Sequence, residues 1–322
     1  MFNIFKIVEN RRFYFILSLI VIIPGIIAML YNVITLPTHT PWKLSPDFLA
    51  GNRFELAFSG PISEDQIRGV FNQFGITNPA VTRLGVEADN IWQVRTIFIE
   101  GQQAQQIRTA LNAIAPLDEG RSSVQSVSPT VASQVTQTAL LAIVVASLAI
   151  LVFIWWSFRK AEHSIRYSVC AIVAMVHDVL VAAGLTAIFS IVFNWEIDAL
   201  FITAMLTVLG FSVQDTIVVY DRIRENLTRR RGESFENIVT RSVVETLHRS
   251  LTISLINILV MVALLLFGGA SIKQFIAVML IGLVSGTYSS VFSAVPLVVA
   301  WFERDLWGTK HRMAPARAPA AK

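Results

Sequence analysis

Apolar residues gather in six long runs separated by polar segments, and this pattern predicts six membrane-spanning helices. Each run is long enough to cross a bilayer, which requires about 20 residues of helix. The runs are approximately Phe13 to Val33, Thr136 to Trp156, Tyr167 to Phe193, Ala199 to Tyr220, Ser250 to Gly268 and Phe275 to Phe302. We therefore expect a polytopic α-helical membrane protein.

The first run resembles a signal peptide because basic residues precede it. Its apolar stretch is longer than an h-region of roughly 7 to 15 residues, and no A-x-A cleavage site follows. We expect an uncleaved first helix over residues 1–34, a five-helix bundle over 134–302 and a cytoplasmic tail over 303–322.

Residues 35–133 have the character of a soluble domain, and their periodicity predicts the order βαββαβ. Ser63-x-x-Gln66 forms a capping box, which predicts a helix from Ser63 to Phe74. The remaining elements are strands at Asn52–Phe58, Ala80–Val86, Ile91–Ile99 and Ser122–Val127, and a helix at Gln102–Ala115. This order is typical of a ferredoxin-like α+β domain. The domain has no metal-ligand spacing and no nucleophile with a base, so we favour a binding or lever module over an enzyme.

Composition supports the membrane assignment. Of 322 residues, 54% are hydrophobic and 15% are charged, whereas soluble domains have roughly 25% charged residues. The single cysteine, Cys170, lies in an apolar run, which excludes a disulfide scaffold.

The basic residues are distributed unevenly between alternate loops. Eighteen of the 26 Lys and Arg residues lie in the segments that alternate to one side, and eight lie on the other. The positive-inside rule then places both termini in the cytoplasm and residues 35–133 outside. The Arg229–Arg231 run is better explained by orientation and contact with membrane lipids than by nucleic-acid binding.

No phosphate-binding loop and no dinucleotide fingerprint occur in the sequence. We expect neither a cofactor nor a metal, and an energy source other than ATP.

Two carboxylates, Asp178 and Asp215, lie well inside the predicted spans. A charge there costs at least about 2.5 kcal/mol, so such residues are functional by default. A low-dielectric environment favours the neutral carboxyl group, and we hypothesise that Asp215 takes up a proton near neutral pH, as a relay requires. The polar neighbours Gln214 and Thr216 would support water entry. Alternatively, each aspartate only fixes helix packing, and for Asp178 we favour neither interpretation.

Three further residues are candidates for supporting roles. Arg249 begins the fifth span and could reach Asp215 as a counter-charge, or extend outward to the interface. His248 could exchange protons at physiological pH, although boundary histidines are commonly solvated caps. His177 precedes Asp178, but adjacent helical positions point about 100° apart, so the two need not share a partner.

The sixth span carries a stripe of small residues. Gly282 and Gly286 are four residues apart, and Ser285, Ser289 and Ser293 follow the same interval. Such stripes favour close packing against another helix, of this chain or of a partner.

The segment Val213-Gln-Asp-Thr-Ile-Val-Val-Tyr-Asp-Arg-Ile-Arg-Glu-Asn226 resembles the SecF family, the six-span subunits of the bacterial SecD/SecF complex. The resemblance extends to roughly Trp307. It includes Asp47-Phe48 with Gly51, Ser128-Pro-Thr-Val131, Ser164-Ile-Arg-Tyr167, His177-Asp178-Val179, Glu245-Thr-Leu-His-Arg-Ser-Leu251 and Gly268-Gly269. The family pattern G-x-D-F-x-G-G is here Ser45-Pro-Asp-Phe-Leu-Ala-Gly51, with two glycines replaced.

The resemblance implies an inner-membrane protein of the proton-driven RND superfamily. Such a protein would act with SecD and the SecYEG channel on a translocating polypeptide after the ATP-driven stage, with YajC and YidC as further partners. It implies that Asp215 and Arg249 match the family's relay positions and that Asp178 matches its third-span aspartate. The alternatives are an RND-type exporter of lipids or small solutes, and a structural scaffold for the translocase.

Overall fold

The computed structural model describes residues 8–77, 79–84, 90–159, 164–229 and 232–303. The elements in chain order are α1 (Arg11–Thr35), β1 (Lys43–Leu44), α2 (Pro46–Leu49), β2 (Gly51–Ala57), α3 (Glu64–Gln73), β3 (Ala80–Leu84), β4 (Ile91–Thr96), α4 (Gly101–Ile114), β5 (Ser123–Val127), α5 (Pro129–Phe158), α6 (Ser164–Val192), β6 (Glu196–Ile197), α7 (Ala199–Arg229), α8 (Phe235–Phe267), α9 (Ala270–Ser289), a π-helical turn (Ser290–Ala294) and α10 (Val295–Glu303).

Six helical segments of the described chain are long and apolar enough to cross a membrane, which confirms the predicted number of spans. They are α1, α5, α6, α7, α8 and the continuous segment that joins α9 to α10. The predicted tail beyond Glu303 and the last two residues of the strand predicted over Ala80–Val86 lie outside the described residues.

Helices α7 and α8 extend further than the apolar pattern indicates. The stretch between Asp221 and Ser250, which hydropathy assigns to a loop, is mostly helical. Its charges pair along and between the helices, since Arg222 lies 2.6 Å from both Glu225 and Glu245, and Arg229 lies 2.8 Å from Glu225. Pairs three or four residues apart stabilise a helix, so these polar turns stay helical.

Contacts divide the chain into two compact units. The first unit contains the described residues of Met1–Lys43, Ile143–Trp195 and Leu200–Lys322. The second contains Leu44–Ala142 together with a separate four-residue segment, Glu196–Ala199.

In the first unit, glycines permit α1 and α6 to touch through their backbones. A Cβ atom on Gly25 would lie 2.6 Å from the Cα atom of Gly184, which real side chains do not tolerate.

A hydrogen bond from α7 fixes the π-helical turn after α9. The buried Tyr220 hydroxyl of α7 donates to the Ala294 carbonyl of the turn at 2.8 Å. π-helical turns often mark functional sites.

The second unit is an antiparallel sheet of order β3-β4-β2-β5. Helices α3 and α4 cover one face, where even-numbered strand residues such as Phe54 and Val94 pack on Ile67, Phe71 and other apolar side chains. The elements follow the predicted order, and the Ser63–Gln66 capping box opens α3. Ferredoxin-like remains our interpretation of this topology.

The turn before β2 shows how the two replaced family glycines are accommodated. Ser45 is the N-cap of α2 and accepts a hydrogen bond from the Asp47 N–H at 3.2 Å. Ala50 adopts φ 58° and ψ 161°, a region that is almost confined to glycine and costs about 1–3 kcal/mol. Gly51 is needed, because its φ is 128° and a Cβ atom would lie 2.5 Å from the Thr96 carbonyl oxygen.

Candidate functional site

The two intramembrane carboxylates lie on neighbouring helices of the first unit. Asp178 is on α6 and is fully buried, with 0% exposure, whereas Asp215 is on α7 and is 9% exposed. Both are linked through hydroxyl groups to α9, although each uses a different set of side chains.

Asp178 accepts hydrogen bonds from two serines that lie one turn apart on α9. The Ser285 hydroxyl donates to Oδ1 at 2.6 Å, and the Ser289 hydroxyl donates to Oδ2 at 2.7 Å. The His177 Nδ1 atom lies 3.0 Å from Oδ1, so these adjacent residues do contact each other. Three polar groups therefore satisfy a carboxyl group that has no access to solvent.

His177 extends this network towards α1. Its Nε2 atom lies 3.0 Å from the Ser18 hydroxyl, which in turn lies 3.4 Å from the Ser293 hydroxyl. A neutral imidazole has one donor and one acceptor nitrogen, and this arrangement uses both. A cavity of about 450 Å³ beside these groups is otherwise lined mainly by apolar side chains of α1, α6 and α9.

Asp215 has fewer and longer hydrogen bonds. The hydroxyls of Ser250 and Ser254, one turn apart on α8, donate to its two oxygens at 3.2 and 3.4 Å. Thr287 of α9 donates to Ser254 at 2.9 Å. A polar cavity of about 10 Å³ adjoins the carboxyl group, which is room for about one water molecule. Its polar lining comes from Gln214, Asp215, Ser254, Asn257 and Thr287.

The small-residue stripe of α9 packs on α7 within this chain. A Cβ atom on Gly282 would overlap the Val208 side chain, and one on Gly286 would lie 3.3 Å from the Cα atom of Ser212. The same hypothetical atom on Gly286 would lie 3.6 Å from Oδ2 of Asp178. The predicted packing residue Ser289 also binds that carboxylate. The stripe therefore sets how closely α9 approaches α7 and Asp178.

The structure does not bring Arg249 to Asp215. Both Arg249 and His248 are exposed on α8, and among the described residues neither forms an ion pair with this carboxylate. The helical face that meets Asp215 carries Ser250 and Ser254, and position 249 is rotated by about 100° from that face.

The two other predicted supporting residues behave differently from each other. Gln214 is exposed and lines the cavity beside Asp215. Thr216 is buried, and its hydroxyl donates to the Ser212 carbonyl of its own helix at 3.1 Å.

Four hydroxyl residues of the site were not singled out from the sequence: Ser18, Ser250, Ser254 and Thr287. The available signal was the four-residue interval between Ser250 and Ser254 in a predominantly apolar span, since that interval places both on one face. Among the described residues, no three His, Cys, Asp or Glu side chains form a group that could hold a metal.

A family profile and several proteins of known name are similar to this chain over most of its length. The family profile described as "Protein export membrane protein SecD/SecF, C-terminal" matches residues 106–304. The chain is 40% identical to the protein translocase subunit SecF of Thermobaculum terrenum, over 97% of this chain and 98% of that protein. It is 39% identical to the SecF of Anaerolinea thermophila, over 92% and 94% of the two chains.

Longer proteins match over part of their length. The chain is 31% identical to the protein translocase subunit SecDF of Bacillus subtilis, over 92% of this chain and 38% of that protein. The crystal structure of SecDF from Thermus thermophilus, a translocon-associated membrane protein, superposes with a TM-score of 0.75 at 25% identity. That match covers 94% of this chain and 40% of the SecDF chain.

Proposed function

The chain belongs to the SecD/SecF protein-export family, and from this premise we propose that it is a translocase subunit that couples the proton motive force to protein export. It acts with SecD to assist SecYEG-mediated export and membrane insertion after the ATP-driven stage. YajC, YidC, the translocating polypeptide and membrane lipids are the further proposed contacts.

Association with SecD is supported by relatives in which one chain carries the name SecDF. This chain corresponds to about two fifths of such proteins, so the other half of the membrane assembly would come from a separate SecD subunit. The chain is a multi-pass inner-membrane protein, and its uneven basic residues support cytoplasmic termini. In this topology residues 35–133 lie outside the cytoplasm.

The observation that carries the proton-coupled role is the surroundings of Asp215. This buried carboxyl group meets two serine hydroxyls at 3.2 and 3.4 Å and a cavity of about 10 Å³. Hydroxyl groups can donate to a carboxylate or accept from a carboxylic acid. The same side chains therefore accommodate both protonation states, which a relay needs.

The energy that a proton releases when it crosses the membrane is sufficient to bias a domain movement. One charge that crosses a potential of 100 mV releases about 2.3 kcal/mol. A domain movement between two states that differ by a few kcal/mol can be biased by this amount. Asp178 and Arg249 belong to the proposal through their positions in the family motif. Because Arg249 is exposed, it would act on Asp215 only after α8 turns.

The experiment that tests the proposal is Asp215→Asn in the complete SecD-containing complex, in membrane vesicles. We expect assembly to be retained while the stimulation of export by the proton motive force disappears. Asp65→Asn, which changes an exposed acid of the second unit, is the matched control and should behave as wild type. Retained stimulation in Asp215→Asn would contradict the relay and favour a structural scaffold.

A further inference from the structure

A short segment between two membrane helices belongs to the second unit. Glu196–Ala199 follows α6 and leads directly into α7, yet its contacts place it with the sheet and helices of Leu44–Ala142. Ala199 is the first residue of α7, and Asp215 lies further along that same helix. The segment is therefore continuous in the chain with the proposed relay.

Glu196 is held on the polar face of the sheet by three side chains. Its carboxylate forms an ion pair with Arg95 of β4, and it lies 3.5 Å from the Arg53 guanidinium of β2. The Gln93 side-chain amide donates to the same carboxylate at 3.4 Å. The Glu196 side chain is only 4% exposed. We call Glu196, Arg53, Arg95 and Gln93 the clasp.

The strand register explains why the sheet binds an acid at this point. Arg53 and Arg95 are direct partners across β2 and β4. Like charges directly opposite each other destabilise a sheet. Both side chains lie on the face opposite the apolar core, because the core uses the even-numbered positions of these strands. A carboxylate between the two guanidinium groups offsets their repulsion, and Glu196 supplies it.

Two more hydrogen bonds fix the residues that follow Glu196. The Ser45 N–H donates to the Ile197 carbonyl at 2.9 Å. The Ala199 N–H donates to the Asp47 carboxylate at 3.1 Å. The first N–H groups of a helix lack partners within the helix, and a carboxylate is favourable there. The segment is therefore attached at three points within four residues.

We propose that the clasp is a positioning device that ties the start of α7 to the sheet of the second unit, so that displacement of this domain and movement of the Asp215 helix are coupled. This inference rests on the proposed function, which requires that proton transfer at Asp215 be coupled to movement of the second unit. The clasp provides the connection between the two. The clasp residues are positioning residues and take no part in proton transfer.

The test is Glu196→Gln in the complete complex with SecD, reconstituted in vesicles, with two readouts. Proton-motive-force stimulation of export should fall at least roughly fivefold, the low end of ordinary coupling between sites. Proton flux through the complex should persist, because Asp215 is untouched. Asp215→Asn should abolish both readouts, and this contrast separates a broken coupling from a broken relay.

Two further variants exclude a general loss of folding. Glu119→Gln removes the acid of another ion pair in the same unit, with Arg108, and should leave both readouts at wild-type levels. The double variant Glu196→Lys with Arg95→Glu exchanges the charges, and it should recover more stimulation than Glu196→Lys alone.

Three results would overturn the inference. The first is wild-type stimulation in Glu196→Gln, and the second is parallel loss of export and proton flux in that variant. The third is failure of the exchanged pair to improve on Glu196→Lys. If Asp215→Asn itself has no effect on either readout, the proposed function fails instead, and the clasp then has no relay to serve.

Discussion

Asp178 and Asp215 are both acids inside the membrane-spanning helices, but the hydrogen bonds that they accept differ in number and length. Asp178 is wholly buried and meets two hydroxyl donors at 2.6 and 2.7 Å and an imidazole at 3.0 Å. Asp215 meets two hydroxyl donors at 3.2 and 3.4 Å and adjoins a polar cavity. Shorter bonds from more donors hold a carboxyl group more firmly in one position.

The difference suggests a division of labour between the two sites. Asp178 joins α6 to α9 and, through His177 and Ser18, to α1, and we propose that it acts chiefly as an anchor. Asp215 has fewer and longer hydrogen bonds, and we propose that it is the proton carrier of the two. Matched substitutions around Asp178 and around Asp215 test this division.

The largest expected effect on stability comes from truncating the acids. Asp178→Ala should lower the free energy of unfolding by about 3 kcal/mol or more, because three buried polar groups lose their partner at about 1–3 kcal/mol each. Asp215→Ala should lower it less, by about 2 kcal/mol, since only two buried donors lose their partner and their bonds are longer. Denaturant unfolding of the purified chain in detergent measures both. Equal losses would refute the distinction.

The second prediction concerns the donors. Ser285→Ala combined with Ser289→Ala should cost about 2–4 kcal/mol, because His177 is then the one polar partner of Asp178 left among the described residues. Ser250→Ala combined with Ser254→Ala should cost about 1 kcal/mol and should reduce the stimulation of export. The same unfolding measurement applies, together with the vesicle assay. A larger stability loss in the α8 pair would reverse the assignment of anchor and carrier.

The third prediction concerns the glycine between the two sites. Gly286→Ala places a methyl group 3.3 Å from the Ser212 backbone and 3.6 Å from Asp178, and overpacking of this kind costs about 1–3 kcal/mol. Gly210→Ala on α7 is the matched control, because no atom of another described residue outside the helix's own backbone lies within 4 Å of the added atom. That change should raise stability by about 0.5–1 kcal/mol. Thermal unfolding in detergent distinguishes the two signs.

The smallest effect on stability is expected at Arg249. Because this side chain is exposed, Arg249→Gln should change the free energy of unfolding by less than about 0.5 kcal/mol. If Arg249 takes part in the relay, export in the complete complex falls while stability does not. A large loss of stability would mean that Arg249 pairs with Asp215 in the isolated chain, contrary to the geometry.

Much of the fold follows from local patterns. Six apolar runs become six spanning helices because a buried backbone in lipid must satisfy its own hydrogen bonds. The capping box at Ser63 and Gln66 marks a helix start through contacts only three residues apart, which a sequence displays directly. The ends of α7 and α8 were not predictable from hydropathy, because ion pairs such as Arg222 with Glu225 and Glu245 keep polar turns helical.

For the site, the sequence identified the two acids and the stripe of small residues, since charge inside an apolar run is conspicuous. The packing of α6, α7, α8 and α9 determines which helix the stripe contacts and which serines bind each acid. It also determines that Arg249 lies away from Asp215. These are long-range contacts, and no spacing within one helix encodes them. The sequence alone therefore determined where charge is costly, and tertiary packing decided that Asp178 receives three short polar contacts and Asp215 two longer hydrogen bonds.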